Sequence, residues 1–540
     1  MKRIFKNLLC TITILSLFII CASASESKAL TWEDFDYSVL SDGTIKIDKC
    51  NRGFEVEEYP STESEDIFYI IVPSEIEGKN VTVIGEKAFA GVGYVKGVKL
   101  PDTIRIIEEY AFTDTDFSEI QLCEGLETIG DYAFYNAYIS SIAIPSTVKK
   151  LGKYSIGYCT DKDGKPIIKK DIIYCYENSI GEEYAAKNKL SFRYVNGDYR
   201  YIILDDGTVQ TTGYTGNAKK LVIPERIADK KVTVIGYYTF STNDTIQELV
   251  IPGTVETIKK LGCAHMKELQ KVTMEYGFKK LGKGAFYGCK KLQTVVMPDS
   301  ITKVGDSAFE DCTSLQNINF RKNITTFGSR VLSDTKYYKT EGNWENSILY
   351  AGTYAVAADA GKIKGSAEIK DGTTFIADFA FSDCKNITVV MFPDTLKKVG
   401  NNAFEGCTAL KKVYLPEDIR ITIAMRAFKN CKSLTKVYGS ENIVEIGDAA
   451  FSYCKSLKEI TLGKNLKTVG EKAFLGCIKL VRVNLESTKA APTFGRKAFS
   501  ATADGIKFVA DKAIAKKVKT NLKNTATKNA KVYSVAYSKI

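Results

Sequence analysis

The hydrophobic and polar positions of the chain recur with a fixed period. From Ile443 to Cys477 one pattern occurs twice, apolar–Gly–x–x–Ala–Phe–x–x–Cys, at Ile446 to Cys454 and at Val469 to Cys477. Phe451 and Phe474 are 23 residues apart, as are Cys454 and Cys477. Between the copies, Leu457-x-x-Ile460-x-Leu462 alternates as a strand buried on one side does. Ile460 and Leu462 share one face; Glu459 and Thr461 share the other. Phe474 and Cys477 are three apart, so a single helical turn places both inside. Gly470 stands where the chain bends out of the strand layer, which favours a residue without Cβ, and Ala473 is small enough to let coils approach. One such coil cannot hide its own apolar face. Stacking does, and a period of about 20–50 residues is the mark of a solenoid.

The period organises nearly the whole chain. Anchors fall at Phe89, Phe112, Phe134 and Ile156, then at Phe240, Phe286, Phe309, Leu332, Phe381, Phe404, Phe428, Phe451, Phe474 and Phe499. The double gap before Phe286 holds a degenerate coil around Leu261 to Cys263, and the gap before Phe381 holds an irregular, hairpin-like variant, Asn343 to Tyr350. Two arrays are expected, because two stretches open alike: Tyr37 to Thr44 matches Tyr201 to Thr208, and Val81 to Gly85 matches Val232 to Gly236. They also close alike. Ile172 to Tyr176, a helical run Ser179 to Lys187 and Ser191 to Val195 parallel Ile506 to Val509, Ala513 to Leu522 and Lys531 to Val535, each reading as a strand–helix–strand cap. The expected fold is a repeat solenoid of ~23-residue coils, with a parallel β-sheet on the inner face and short helical turns. The expected domains are a signal peptide over 1–24, a first array with cap over 25–195 and a second with cap over 196–540. About a dozen coils at ~4.8 Å would give the second array an inner sheet on the order of 55 Å long.

Composition adds an address. Lys2, Arg3 and Lys6 precede an apolar run from Leu8 to Cys21, and Ala22-Ser23-Ala24 supplies small residues for cleavage near Ala24. No later stretch is long and apolar enough to span a bilayer. The chain of 540 residues carries a net charge of +11. Three of those charges leave with the signal and a net seven more lie from Asp504 to Ile540, so the arrays together are close to neutral, which argues against nucleic acid as partner. Glu55, Glu57, Glu58, Glu63, Glu65 and Asp66 read as an exposed acidic loop.

Little in the chain suggests catalysis. The one histidine, His265, sits in the degenerate coil without an evident partner, so a Ser-His-Asp hydrolase is not expected. Eight cysteines (Cys159, Cys289, Cys312, Cys384, Cys407, Cys431, Cys454, Cys477) share one repeat position and read as buried apolar thiols. Cys50, Cys123, Cys175 and Cys263 fall outside that column and are the better candidates for a disulfide. No C-x-x-C pair suggests zinc, and Asp161-x-Asp163-Gly164 reads as a polar turn rather than a calcium loop. No catalytic residue, metal site or cofactor is assigned.

The motif Leu-x-x-Ile/Val-x-Leu/Met-Pro … apolar-Gly-x-x-Ala-Phe-x-x-Cys, legible at Leu292 to Cys312 and Leu410 to Cys431, closely resembles the BspA-like class of bacterial leucine-rich repeats. The resemblance implies an exported surface protein without a shared catalytic site. It also implies adhesion to a host matrix or cell-surface protein or a cell-wall polymer. A site of that kind would be written on the outward row of the inner sheet. There one column reads Met391, Tyr414, Tyr438, Thr461, Asn484, and its neighbour reads Val389, Lys412, Lys436, Glu459, Arg482. Exposed aromatics beside cations are favoured at interfaces, so Met391, Tyr414, Tyr438, Lys412 and Lys436 form the candidate ligand patch. The chain is thus expected to be a secreted or non-covalently surface-associated binding or adhesion module; the alternative is a structural spacer or surface-assembly component.

Overall fold

The computed structural model describes residues 32–51, 69–93, 95–117, 119–169, 172–486, 490–525 and 529–535. The expected signal peptide and the acidic stretch from Glu55 to Asp66 lie outside the described residues. The protein is a solenoid of about 19 turns with parallel sheets and little helix.

The coil beginning at Glu459 shows why the pattern folds this way. Glu459–Leu462 is a strand whose Ile460 and Leu462 are buried while Glu459 is exposed. A turn leads to a second, two-residue strand, Thr468–Val469, with Val469 buried. Two short parallel ladders therefore run through each coil, where the sequence pattern had indicated one sheet. The bend after the second strand carries Ala473, Phe474 and Cys477 inward, each fully buried. This bend is not a helix. Cys477 N–H donates to the Phe474 carbonyl three residues back, while Lys472 and Gly476 adopt φ of +56° and +73°. The same two left-handed positions recur at Ala449 and Tyr453, Arg426 and Asn430, and Asn402 and Gly406. With the chain bent this way, the amides of Ala449, Phe451 and Tyr453 donate to the carbonyls of Glu471, Ala473 and Leu475 at 2.7–2.8 Å. Buried backbone groups of the bend are thereby satisfied by the next coil.

The glycine before the bend acts through close approach rather than positive φ. A Cβ on Gly470 would lie 2.5 Å from the Asp448 amide nitrogen. The residue after that glycine has its own repeat role, because its side-chain oxygen accepts the corresponding amide of the next coil. Asp131 accepts from Lys153, Asp306 from Ser329 and Asp448 from Glu471, at 2.6–2.9 Å, and Asp378, after Ala377 in the glycine's place, accepts from Asn401.

Two compact units are present, one up to Ile202 and one from Ile203. In the first, Phe89, Phe112 and Phe134 stack with ring centroids 4.9 and 5.1 Å apart. Ile172–Cys175, the helix Ile180–Lys187 capped by the Ser179 hydroxyl, and Phe192–Asn196 follow, the two strands pairing in parallel. In the second unit, five steps from Phe381 to Phe499 stack at 4.7–5.4 Å, matching the ~4.8 Å rise of parallel strands. The irregular segment is a β-meander. Trp344–Glu345 pairs antiparallel with Ile348–Ala351 across Asn346 and Ser347, both at positive φ, and Ile348–Ala351 then pairs with Tyr354–Ala358. Both array openings fold as the same turn, in which the Asp42 and Asp206 carboxylates accept the amides of Thr44 and Thr208. The Thr44 and Thr208 hydroxyls donate to the same carboxylates at 2.7 Å, and these hydroxyl bonds first, then the amide bonds, hold both carboxyls below their ordinary value.

Three expectations need correction. The 23-residue offset places Cys263 at the phenylalanine position of the degenerate coil and Met266 at the cysteine position, both fully buried. The small anchor and the large neighbour exchange volumes, so Cys263 belongs to the core and the coil stays packed. Cys159 departs the other way. It is half-buried, in an antiparallel hairpin of Tyr158–Thr160 with Pro166–Ile168. Of the disulfide candidates, Cys123, Cys175 and Cys263 are buried free thiols, and Cys50 is buried. Finally, the long inner sheet of the second unit is broken into three. Strands 220–318 form one sheet, 365–438 a second and 459–535 a third.

Candidate functional site

Register places the predicted patch on one surface. Val389, Lys412 and Lys436 are direct partners on successive strands, as are Met391, Tyr414 and Tyr438. Alternation along each strand buries Val390, Val413 and Val437 and turns the flanking residues outward. Met391, Lys412 and Lys436 are exposed; Tyr414 and Tyr438 are half-buried. The two tyrosine rings lie parallel within 3° at a centroid distance of 4.5 Å, and the Lys436 ammonium sits 5.0 Å above the Tyr438 ring. Stacked in this way, the rings cover one another's faces and offer edges and hydroxyls to a partner. Glu368, exposed opposite Met391, puts a carboxylate at one end of the row.

The expected continuation to Thr461 and Asn484 is interrupted. Gly439 turns into the left-handed region at φ +72°, with Leu415 so close that a Cβ would lie 2.7 Å from its carbonyl oxygen. A 3₁₀ turn, Ser440–Asn442, follows, and the Ser440 hydroxyl donates to the Thr461 carbonyl at 2.6 Å. The strand pairing therefore stops at Tyr438, and Thr461 and Asn484 begin the next sheet.

The cysteine column has a role beyond filling space. The Cys312, Cys407, Cys431, Cys454 and Cys477 thiols donate to the carbonyls of Phe286, Phe381, Phe404, Phe428 and Phe451 in the preceding coil, at 3.0–3.2 Å. A thiol is a weak donor, yet each supplies an additional partner for a carbonyl deep in the stack. Burial pushes the Cys384 thiol up to about 12, which suppresses the reactive thiolate. These are structural thiols rather than nucleophiles. His265 is exposed at a left-handed position, edge-on to Tyr287 at 5.2 Å. Asp161 Oδ1 accepts the amides of Asp163 and Lys165, as a polar turn requires. Among the described residues no cluster of His, Cys, Asp and Glu is arranged to hold a metal ion. No helix among them is long and apolar enough to cross a membrane.

A second surface feature was not anticipated. In the first unit the residue two beyond the bend glycine, or its equivalent, is tyrosine in three successive coils: Tyr110, Tyr132 and Tyr154, at φ of +52° to +56°. Tyr110 and Tyr132 stack at 5.0 Å, Tyr154 follows at 5.5 Å, and Tyr135 packs edge-on against Tyr132 at 5.4 Å. All four are half-buried. Bulky side chains are uncommon in this backbone region; the second unit mixes Tyr238, Leu261 and Phe379 with Gly284, Ser307 and Asn402 at the same place, without three tyrosines in a row. Burial and the neighbouring Glu109 push the Tyr110 hydroxyl above its ordinary value, the latter marking a negative surroundings. The signal was in the sequence as a tyrosine recurring at 22-residue spacing, but nothing there says that the position faces outward.

The sequence profile of the BspA type leucine-rich repeat region matches residues 73–177, 223–357 and 366–506 in six copies. Among solved structures, a leucine-rich repeat protein from Bacteroides ovatus is 19% identical, covering 94% of this chain and 99% of its own, with a TM-score of 0.29. The pneumococcal vaccine antigen PcpA is 18% identical over 64% of this chain and 99% of its own, with a TM-score of 0.32. A leucine-rich cell surface protein from Faecalibacterium prausnitzii is 20% identical over 64% and 95%, with a TM-score of 0.25. No curated protein matches the chain in sequence. Matched over well more than half of its length, this chain belongs to the BspA-type leucine-rich repeat family.

Proposed function

We propose that the chain is an exported binding or adhesion module, acting at or outside the cell surface, whose second unit recognises a protein or glycan through the row Met391, Tyr414 and Tyr438 with Lys412 and Lys436. The single observation behind this reading is the in-register tyrosine pair with a lysine over one ring. Family membership supports it, since BspA-like repeat proteins are typically surface or secreted and often binding modules rather than enzymes. Ring edges with hydroxyls suit a protein surface better than a sugar face, so a host matrix or cell-surface protein is favoured over a cell-wall polymer. Residues 1–24 are the signal that would take the chain out of the cell. The boundary between the arrays falls near residues 195 and 196, and each array ends in a strand–helix–strand segment that we read as its cap.

The test is surface plasmon resonance of the mature chain against matrix proteins and wall fractions, with the double variant Tyr414→Ser, Tyr438→Ser beside it. Binding should weaken by about tenfold or more if these rings are central anchors, with unfolding midpoints little changed. Unchanged affinity for a partner that binds the native chain excludes this patch. Failure of the native chain to bind any of them favours the second reading, a spacer or surface-assembly component.

A further inference from the structure

The near-neutral sum of the two arrays conceals a division. Residues 32–202 carry 30 Asp and Glu against 19 Lys and Arg, a net of −11, whereas residues 203–503 carry 31 against 43, a net of +12. Net charges this large and opposite act over about 8–10 Å at physiological salt.

Part of this charge lies on comparable edges of the coil in the two units. In the first unit the tyrosine ridge Tyr110, Tyr132, Tyr154 is bordered by exposed Glu86, Glu109 and Asp131. Its end rings already receive lysines of the same unit, Lys87 5.6 Å from the Tyr110 ring and Lys153 5.0 Å from the Tyr154 ring. In the second unit the short-strand ladder and the following bend expose Lys260, Lys279, Lys280, Lys283 and Lys303. Lys280 and Lys303 are direct partners on adjacent strands, and Lys279 pairs with Glu256 at 2.9 Å. The spacing matches too. Ring centroids along the ridge are 5.0 and 5.5 Å apart, and lysines on neighbouring parallel strands repeat at ~4.8 Å.

We propose that the tyrosine–carboxylate ridge of one copy docks on the lysine edge of a second copy of this chain. One row of rings and carboxylates then meets one row of ammonium groups, rung for rung, through cation–π and ion-pair contacts. Because the two surfaces differ, the contact is heterologous and can propagate from copy to copy. It uses neither Tyr414 nor Tyr438, so it stands or falls separately from the ligand patch.

Sedimentation velocity of the mature chain at low and high salt tests this. The native chain should form dimers and longer species as concentration rises at low salt, and these should dissolve at high salt. The variants Glu86→Lys, Glu109→Lys and, separately, Lys280→Glu, Lys303→Glu should each weaken association by about tenfold or more while keeping the native circular dichroism. Mixing the two variants equimolarly should restore it, because each reversed surface then meets its opposite. A native chain that remains monomeric at low salt overturns the proposal. So does association that neither pair of charge reversals changes, or that mixing fails to restore.

Discussion

Replacing Phe451 with alanine probes the physical basis of the whole stack. Phe451 is fully buried, with Phe428 5.4 Å away on one side and Phe474 5.3 Å away on the other, both rings within 9° of parallel. Removing a buried phenylalanine side chain costs about 3–5 kcal/mol, to which each lost ring pair adds roughly 0.5–1.5 kcal/mol. The backbone bonds at the site survive, since the Cys477 thiol and the Ala473 carbonyl both bind main-chain atoms of residue 451. The expected loss is therefore about 4–8 kcal/mol, toward the lower end if the neighbouring rings relax into the space. Its distribution matters more than its size. In a stack held by nearest-neighbour contacts, the loss should fall on the coils around Phe428, Phe451 and Phe474 and leave the coil of Phe286 near native stability. Hydrogen exchange followed by mass spectrometry reads this directly. Amides of residues 423–477 should exchange orders of magnitude faster, while those of residues 271–309 keep their protection. Uniform loss of protection across both regions would refute the near-neighbour reading, because it would mean that the unit melts as one cooperative core.

Gly470→Ala should destabilise by about 1–3 kcal/mol in urea melts, since its methyl meets the Asp448 backbone at 2.5 Å. Tyr453→Asn should instead stabilise by about 1 kcal/mol. Tyr453 is 40% exposed at φ +60°, a region that asparagine tolerates and that Asn430 already occupies one coil earlier. Burial pushes the Asp378 carboxyl above its ordinary value of 3.8 despite hydrogen bonds from Asn401 that pull it down. A raised carboxyl disfavours the folded state once ionised, so its share of stability is highest below pH 3.8 and falls as pH rises through the raised value. Asp378→Asn should flatten that limb in unfolding titrations. In the native chain Cys159 should react with iodoacetamide before any cysteine of the buried column, as peptide mapping after brief labelling will record.

Much of this protein is determined by one-dimensional information, because a solenoid coil packs only against its neighbours in sequence. The 23-residue interval sets which residues stack, and strand alternation sets which face they take. Hence the register of Lys412 with Lys436 and of Tyr414 with Tyr438 could be read off the chain before any coordinate. The phenylalanine stack was legible for the same reason. What the sequence left open was decided where local backbone geometry or exposure enters. The bend could be a helix on spacing alone, since residues three apart meet in either case; its two left-handed residues arise because the bend's amides turn to reach the next coil. Cys263 looked like a stray thiol until its exchange of volume with Met266 placed it in the core. The ladder ends after Tyr438 because Gly439 has no Cβ to keep it off the Leu415 carbonyl. The tyrosine ridge of the first unit needed the fold most of all. Period shows that the tyrosines align, but only the folded bend shows that their side chains remain partly in water, beside carboxylates, rather than inside.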